Sequence, residues 1–220
     1  MIPPGKDAEF VAHMEKVLDV YKRHYNPDNP IICMDESPKQ LISEARPGLK
    51  MRPGQECRID YEYIRHGVVN IFMANEPLMG KRYTKITEFK TKKDWALFIQ
   101  EIADEYPEAS KITLVMDNFK THTPGAFYET FKPDVAKKIL DRFEFIFTPK
   151  HGSWLNMAEI ELHVLNSQCL NRHISTKEKI HAEVKAWEKA RNSKTCKINW
   201  QFNAKDARIK LKRLYPSYHD

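Results

Sequence analysis

The sequence predicts an α/β domain built on a mixed sheet, in which an antiparallel part is followed by parallel strands. Three features of the order of segments predict it. Strand-like segments come first, helix and strand alternate between residues 93 and 147, and helical segments follow to the end of the chain. Strands separated by a helix are typical of parallel crossovers, whereas strands close together in sequence are typical of antiparallel pairs.

The predicted strands are short apolar runs or runs with alternating apolar residues. Three are nearly continuous apolar runs, as expected of buried parallel strands: Ile31–Asp35, Ile112–Met116 and Phe143–Phe147. Segments Arg58–Arg65 and Val68–Met73 flank the pair His66-Gly67, which predicts a hairpin with its turn at that pair. Residues Arg82–Phe89 predict one further strand.

Apolar residues at helical spacing predict six helices. The first begins at Asp7, a residue suited to capping, and ends at His24 before a breaker rich in Pro and Asn. The other five are Lys93–Tyr106, Pro133–Arg142, the segment from Trp154 onward, Lys177–Asn192 and Ala204–Leu214. The sequence contains no internal repeat.

Composition sets broad limits on the class of protein. The chain has 220 residues, of which 41% are hydrophobic and 30% charged, so a folded core is expected rather than disorder. The formal net charge is +6. This modest basic excess suits a nucleic-acid partner, but charge alone leaves a basic protein without such a partner equally open.

Several classes are disfavoured by what the sequence lacks. The four cysteines have neither Cys-x-x-Cys nor zinc-finger spacing, so reduced thiols are expected at Cys33, Cys57, Cys169 and Cys196. No apolar run reaches about 18 residues, which argues against a membrane span. The first residues lack the form of a secretion signal, and a cytoplasmic location is therefore expected.

Three acidic residues stand where sheet and helix would meet. Asp35 and Asp117 each end an apolar strand, and Glu159 lies in a helix that follows the third strand. If the first two strands are parallel neighbours, both carboxylates emerge at one edge of the sheet. Three hard oxygen donors suit Mg²⁺ or Mn²⁺. An acid at a strand end is also a common turn former, so the pattern alone leaves a structural role open for each aspartate.

Three motifs surround these acids. They are Met34-Asp35-Glu36, then Leu114-Val115-Met116-Asp117-Asn118 with His122, and then Thr148-Pro149-Lys150-His151-Gly152-Ser153-Trp154-Leu155-Asn156-Met157-Ala158-Glu159. Together they resemble the catalytic core of DDE transposases of the mariner-like superfamily, in its bacterial insertion-sequence branch. The similarity extends from about Pro30 to Pro216, and the Leu-Asn-x-x-Glu pattern that ends at Glu159 is its most specific part.

The resemblance implies a ribonuclease H-like fold with a five-stranded mixed sheet. It also implies that Asp35, Asp117 and Glu159 are catalytic and hold two Mg²⁺ or Mn²⁺ ions, for DNA strand cleavage and transfer. Transposon ends and target DNA would be the partners of a homodimer associated with the bacterial nucleoid. On this basis residues 1–29 are an N-terminal helix and linker, and residues 30–220 are the catalytic domain with its C-terminal helices.

Two features depart from the family pattern. Asp117 and Glu159 lie 42 positions apart, which is longer than usual, and Phe131–Asp141 is expected to supply the extra helical length. The family carries N-terminal helix-turn-helix modules, and the residues before Asp35 leave no room for them. The chain is therefore expected to be a fragment or one product of a split gene, with an upstream helix-turn-helix polypeptide as a partner.

Two other glutamates compete with the triad. Glu161 is about 200° around the helix from Glu159, and helical periodicity does not choose between them. The family motif chooses Glu159. Glu36 is adjacent to Asp35, and strand alternation sends its side chain to the other face of the sheet.

Five further residues are predicted to contact the substrate because they lie in the motifs beside the acids: Asn118, His122, Lys150, His151 and Asn156. For Asn118 and His122 a turn-forming or loop role is the alternative, and Lys150 is as readily a solvated surface residue. The basic segment Lys205–Arg213 is either a helix that follows DNA or an amphipathic surface helix.

Two functions other than transposition stay open at this point. Another ribonuclease H-like nuclease would share the acids but act on a different nucleic acid. A transposon remnant would bind DNA or a partner without cutting. All three acids are present, which argues against the remnant, while the missing end-recognition modules argue for it.

Overall fold

The computed structural model describes residues 2–3, 5–46, 53–54 and 62–217. Its sheet has five strands: β1 (Ile31–Glu44), β2 (Tyr63–Glu76), β3 (Lys81–Thr87), β4 (Ile112–Met116) and β5 (Phe143–Phe147). The spatial order is β3-β2-β1-β4-β5. The pairs β1–β2 and β2–β3 are antiparallel, whereas β1–β4 and β4–β5 are parallel. The predicted mixed sheet is therefore confirmed.

The hairpin predicted at His66-Gly67 is wrong. Strand β2 runs without interruption from Tyr63 to Glu76, and its antiparallel partner is β1. The register with β1 shifts between Gln40 and Ile42, and Gly67 has a φ of 99°. A glycine with positive φ beside a register shift is typical of a β-bulge, which breaks the alternation without turning the chain. Residues 58–61 of the predicted first strand lie outside the described residues.

Seven α-helices connect and cover these strands within the described residues. They are α1 (Ala8–Tyr21), α2 (Lys92–Asp104), α3 (Gly125–Thr130), α4 (Pro133–Asp141), α5 (Met157–Leu165), α6 (Lys177–Ser193) and α7 (Ala204–Lys210). Each predicted helix is present, although the last ends at Lys210 and continues as a 3-10 turn. The short helix α3 was not predicted.

Side-chain caps fix several helix starts. Asp7 accepts a hydrogen bond from the backbone N–H of Phe10 at 2.9 Å, as its position predicted. Thr91 and Asp94 form a capping box at the start of α2. Such caps satisfy backbone N–H groups that have no partner inside the helix, and they determine where each helix begins.

The sheet is covered on both faces. Helices α2, α3 and α4 cover one face with a core that includes Trp95, Phe98 and Phe127. Helices α1, α5 and α7 cover the parallel part of the other face, where Met14 and Val115 are buried. Helix α6 extends that second layer over β2 with a third core cluster. The strand that carries Asp35 is thus enclosed between two layers of helices.

Among the described residues, the cysteines at 33, 169 and 196 are free thiols, and the first two are buried. Cys57 lies outside the described residues. No helix in the described part of the chain combines the length and apolar character needed to cross a membrane.

Candidate active site

The strand register brings the two aspartates to the edge where the parallel pairing of β1 and β4 ends; Asp35 lies within β1, so the prediction that it ends its strand is wrong. Strands β1 and β4 are parallel neighbours, and their last paired residues are Cys33 and Val115. Asp35 and Asp117 each follow two positions later, so they extend the same row of the sheet. The parallel arrangement predicted from the sequence is confirmed.

The pKa of Asp35 is affected by the other acidic residues at this edge. Burial raises the pKa of its carboxyl to about 7, although the backbone N–H of Glu36 donates to Oδ1 at 2.8 Å and acts in the opposite direction. The negative charges of Asp117, Glu36 and Glu159 raise this pKa further. Four carboxyl groups therefore lie close enough to repel one another at this partly buried edge.

Removing one of these charges gives a direct test of the convergence. We expect Asp117→Asn to lower the pKa of Asp35 from about 7, because a neighbouring anion is lost. The pKa should stay above the ordinary value of 3.8, since burial is the largest cause of the shift. Carbon-13 NMR titration of the Asp35 carboxyl without divalent metal measures it. Asp141→Asn, at an exposed site, is the control, and equal Asp35 titrations in both variants would contradict this geometry.

Asn156 joins the start of α5 to β1. Its side-chain Nδ2 donates to the carbonyl of Met34 at 2.8 Å and lies 3.5 Å from Asp35 Oδ2. Its Oδ1 accepts from the backbone N–H of Ala158 at 3.1 Å and caps the helix. The residue is only 1% exposed. Because both ends of the amide are engaged, Asn156 places the first turn of α5, which carries Glu159, over Asp35.

His122 links Asp117 to Glu36. Its Nδ1 lies 2.8 Å from Asp117 Oδ1, and its Nε2 lies 3.4 Å from Glu36 Oε1. The ring is fully buried and stacks on Trp95 at a centroid distance of 5.3 Å. Burial alone would lower the pKa of this imidazole, but the two carboxylates outweigh it and raise the pKa to about 9. The ring is therefore a buried cation between two acids at neutral pH.

Glu36 is the residue whose part in the site the sequence did not reveal. The prediction from strand alternation was correct. Glu36 lies on the face of the sheet that includes Met34 and Trp95, and Asp35 lies on the face covered by α5. His122 comes from the loop after β4 and reaches Glu36 on that first face. The Asp-Glu pair and the His five positions after Asp117 were the available signal, but their contact depends on the fold of the loop.

The donor atoms at this edge fit a divalent cation. Within the described residues, buried Glu36 Oε2 accepts no hydrogen bond, and Asp117 Oδ1, although 2.8 Å from His122 Nδ1, is not aligned to accept one. Atoms of Glu36, Asp117 and His122 lie within 4.8 Å of one another, and among the described residues this is the group of potential metal ligands that the structure brings together; it shares Asp117 with the predicted triad but lacks Asp35 and Glu159. A protonated imidazole cannot bind a metal without losing its proton. The carboxylates of Asp35, Asp117 and Glu159 are the better match for a hard cation.

Glu161, the other glutamate of α5, is paired with two arginines away from the acid site. It is completely buried and accepts hydrogen bonds from Arg82 and Arg191. Burial would raise its pKa, but the two guanidinium groups outweigh burial and hold the pKa below its ordinary value. This carboxylate is a paired anion on the far side of α5, which leaves Glu159 as the glutamate of α5 available to the acid site.

The sequence and the fold both resemble those of known proteins. Residues 30–181 match the family described as DDE superfamily endonuclease. The chain belongs to this family. None of the curated proteins matches the chain.

The fold of this DDE endonuclease is shared with solved structures of the mariner transposase Mos1. The Mos1 paired end complex with Mn has a TM-score of 0.56 and 15% identity, and the match covers 86% of this chain and 58% of that one. The paired end complex with Mg has a TM-score of 0.61 and 13% identity, covering 99% and 66%. The Mos1 strand transfer complex has a TM-score of 0.55 and 14% identity, covering 86% and 57%. The predicted ribonuclease H-like fold is confirmed, and the chain spans less than two thirds of each Mos1 chain.

The remaining predicted contact residues of the DDE endonuclease lie at or near its surface. Asn118, Lys150 and His151 are exposed on the loops that follow β4 and β5. In the basic C-terminal segment, Arg208 binds Glu15 of α1 through two hydrogen bonds of 2.8 Å, and Ile209 is 77% exposed. That segment is an amphipathic helix on the surface, and its role in following DNA stays a prediction.

Proposed function

We propose that this chain is the catalytic domain of a transposase that cleaves and joins DNA strands with divalent metal ions. The observation that carries the proposal is that Asp35 and Asp117 follow the paired ends of two neighbouring parallel strands, while Asn156 ties the first turn of α5, which carries Glu159, to β1 beside Asp35. Membership of the DDE endonuclease family supports it. The related Mos1 structures are complexes with transposon ends, two of them with Mn or Mg.

In this proposal Asp35, Asp117 and Glu159 hold two ions, Mg²⁺ or Mn²⁺. Bound there, the ions would activate the attacking oxygen and stabilise the leaving oxygen of an in-line displacement at phosphorus. The protein's own part would be to hold the three carboxyl groups near one another, and bound cations would offset the burial and repulsion that raise the pKa of Asp35. Exposed Asn118, Lys150 and His151 would contact DNA phosphates beside the acids, because both of their loops border the site.

His122 and Asn156 act on the acids rather than on DNA in this account. Both side chains are buried, at 2% and 1% exposure. His122, paired with Glu36, fixes the direction of the Asp117 carboxylate, and Asn156 fixes the turn that carries Glu159. Groups that orient metal-binding residues typically change affinity or activity by about 10–100-fold when they are removed.

A nicking assay tests the proposed activity. Supercoiled plasmid is incubated with the chain and Mg²⁺, Mn²⁺, Ca²⁺ or EDTA, and an RNA–DNA hybrid is tested in parallel. We expect nicked plasmid with Mg²⁺ or Mn²⁺ and none with EDTA. Preferential cleavage of the hybrid would indicate a different ribonuclease H-like nuclease. Absent cleavage with retained DNA binding would indicate a remnant that does not cut, whereas cleavage in EDTA would contradict the proposed metal site.

We expect His122→Asn to slow metal-dependent nicking by roughly 10–100-fold, because the Asp117 carboxylate loses the contact that orients it. Plasmid nicking measured across a range of Mn²⁺ concentrations gives this rate. His181→Asn, at an exposed position of α6, is the matched control and should nick as the unchanged chain does. Equal rates for the two variants would contradict the orienting role of His122.

The partners of the full protein follow from the same proposal. DNA ends and target DNA would be its substrates, bound by a homodimer, and a helix-turn-helix polypeptide encoded upstream would recognise the ends. The protein would then act at the bacterial nucleoid. Residues 30–220 would form the catalytic domain, and residues 1–29 would add α1, which packs on the second face of the sheet.

A further inference from the structure

We propose that Arg82 and Glu161 are positioning residues, which set the rotation of α5 and thereby hold Glu159 at the acid site. The inference rests on the proposed metal site for its functional meaning. Its structural content, the place of Glu159 beside Asp35, can be tested without metal.

The ion pair is enclosed and bidentate. Arg82 Nε lies 2.9 Å from Glu161 Oε2, Arg82 Nη2 lies 2.6 Å from Glu161 Oε1, and both side chains are 0% exposed. Arg191 of α6 adds contacts of 3.1 Å to each oxygen of the same carboxylate. The glutamate of α5 is therefore held from β3 and from α6 together.

The guanidinium of Arg82 is itself fixed by backbone. It donates to the carbonyls of Gly80 and Cys196. The turn before β3 is packed closely on the chain after α6, since a Cβ at Gly80 would lie 2.6 Å from the carbonyl carbon of Thr195. Gly80 also has a φ of 73°, which only glycine adopts at low cost. Arg82 thus offers a rigid anchor rather than a mobile charge.

Apolar burial is not the whole cause of the rotation of α5, although Met157, Ala158 and Leu165 are buried on it. Ile160 is 40% exposed, whereas its neighbour Glu161 is fully buried. Burial of apolar surface alone favours the reverse, with the isoleucine inside and the glutamate in water. Glu161 lies in line with buried Met157 and Leu165, so its contacts with Arg82 and Arg191 act together with apolar burial to fix which side of the helix is inside.

Fixing Glu161 also fixes Glu159. The two residues are about 200° apart on the helix, so they point to nearly opposite sides. Asn156 sets the position of the helix start on β1, and Glu161 sets its rotation. Together these two contacts fix the side of α5 on which Glu159 lies, opposite the side held by Glu161.

Arg82→Lys tests this role because lysine keeps the positive charge but loses the planar fork. We expect the variant to fold and its Mn²⁺ dissociation constant, measured by calorimetry on the whole chain, to rise about tenfold, as is typical when a group that orients ligands is lost. The control is Arg208→Lys, which alters an exposed bidentate pair with Glu15 away from α5. We expect the control to bind Mn²⁺ as the unchanged chain does.

A metal-free crystal structure of Arg82→Lys separates this inference from the proposed function. We expect the distance between the Asp35 and Glu159 carboxyl groups to increase relative to the unchanged chain. An unchanged distance would overturn the positioning role, as would unchanged Mn²⁺ affinity in a chain that binds Mn²⁺. If the unchanged chain binds no Mn²⁺, the proposed function fails and the crystallographic distance still decides the inference. If Arg82→Lys does not fold, the Mn²⁺ affinity and the Asp35–Glu159 distance are measured instead on Glu161→Gln, which preserves the shape of the side chain.

Discussion

Asp117→Asn is expected to reduce metal-dependent nicking by about 1,000-fold or more. Asp117 belongs both to the group with Glu36 and His122 and to the predicted triad, so its neutralisation removes a ligand from whichever of them holds the cation. Loss of a group that only orients a ligand already costs about 10–100-fold, and loss of the ligand itself exceeds that. Initial nicking rates on supercoiled plasmid with Mg²⁺ measure the effect.

The control for this variant must show that the fold survives. Asn has the shape of Asp, and removing one of four mutually repelling carboxylates relieves repulsion while it weakens the contact with His122. We therefore expect the thermal midpoint of unfolding to change little. Asp141→Asn, an isosteric change at an exposed helix end, should leave nicking unchanged. An Asp117→Asn protein that nicks at the unchanged rate would end the assignment of the triad.

Arg82→Ala is expected to cause the largest loss of stability. Removing one partner of a buried ion pair typically costs about 3–5 kcal/mol, because the other charge is left without full compensation in the interior. Arg82 and Glu161 are both fully buried, and the two backbone carbonyls that Arg82 binds would lose a donor as well. For a chain of this size the thermal midpoint should fall by roughly 10 °C.

Arg208→Ala is the matched comparison, because Arg208 also forms two hydrogen bonds with one glutamate, but at the surface. Solvent and salt screen such a pair, and its removal should be hard to detect by thermal unfolding. If the two alanine variants unfold at the same temperature, burial does not make the Arg82–Glu161 pair contribute more to stability than the exposed pair does.

Much of the parallel half of the sheet follows from the sequence. The bounds of β4 and β5 coincide with their predicted runs: β4 is buried at all five positions and is apolar except at Thr113, whereas β5, at the edge of the sheet, is partly buried and carries Glu144. The antiparallel half was harder to predict. Strand β1 continues from Asp35 to Glu44 through Pro38 and Lys39, since that part pairs only with β2 and is largely exposed to solvent on at least one side. Polar residues are compatible with that part of the strand. The apolar run therefore predicted the start of β1 but not its end.

The candidate site divides in the same way. The positions of Asp117 and Glu159 follow from a strand end and a helix start, which are local features, whereas Asp35 lies within β1 just beyond its parallel pairing with β4. The Glu36–His122 contact and the Arg82–Glu161 pair join residues 86 and 79 positions apart, through loops and layers that no local pattern specifies. Glu161 is the clearest example. Helical periodicity did not distinguish Glu161 from Glu159 as the metal ligand, and the contacts of Glu161 with Arg82 and Arg191 did.

The central claim is that Asp35, Asp117 and Glu159 together hold the catalytic cations. A crystal structure of the chain grown with Mn²⁺ tests it most directly, because the anomalous signal locates each ion. The account predicts manganese peaks within bonding distance of all three carboxylates. Manganese bound by Glu36, Asp117 and His122 with Asp35 and Glu159 left out, or no manganese at this edge of the sheet, would contradict it.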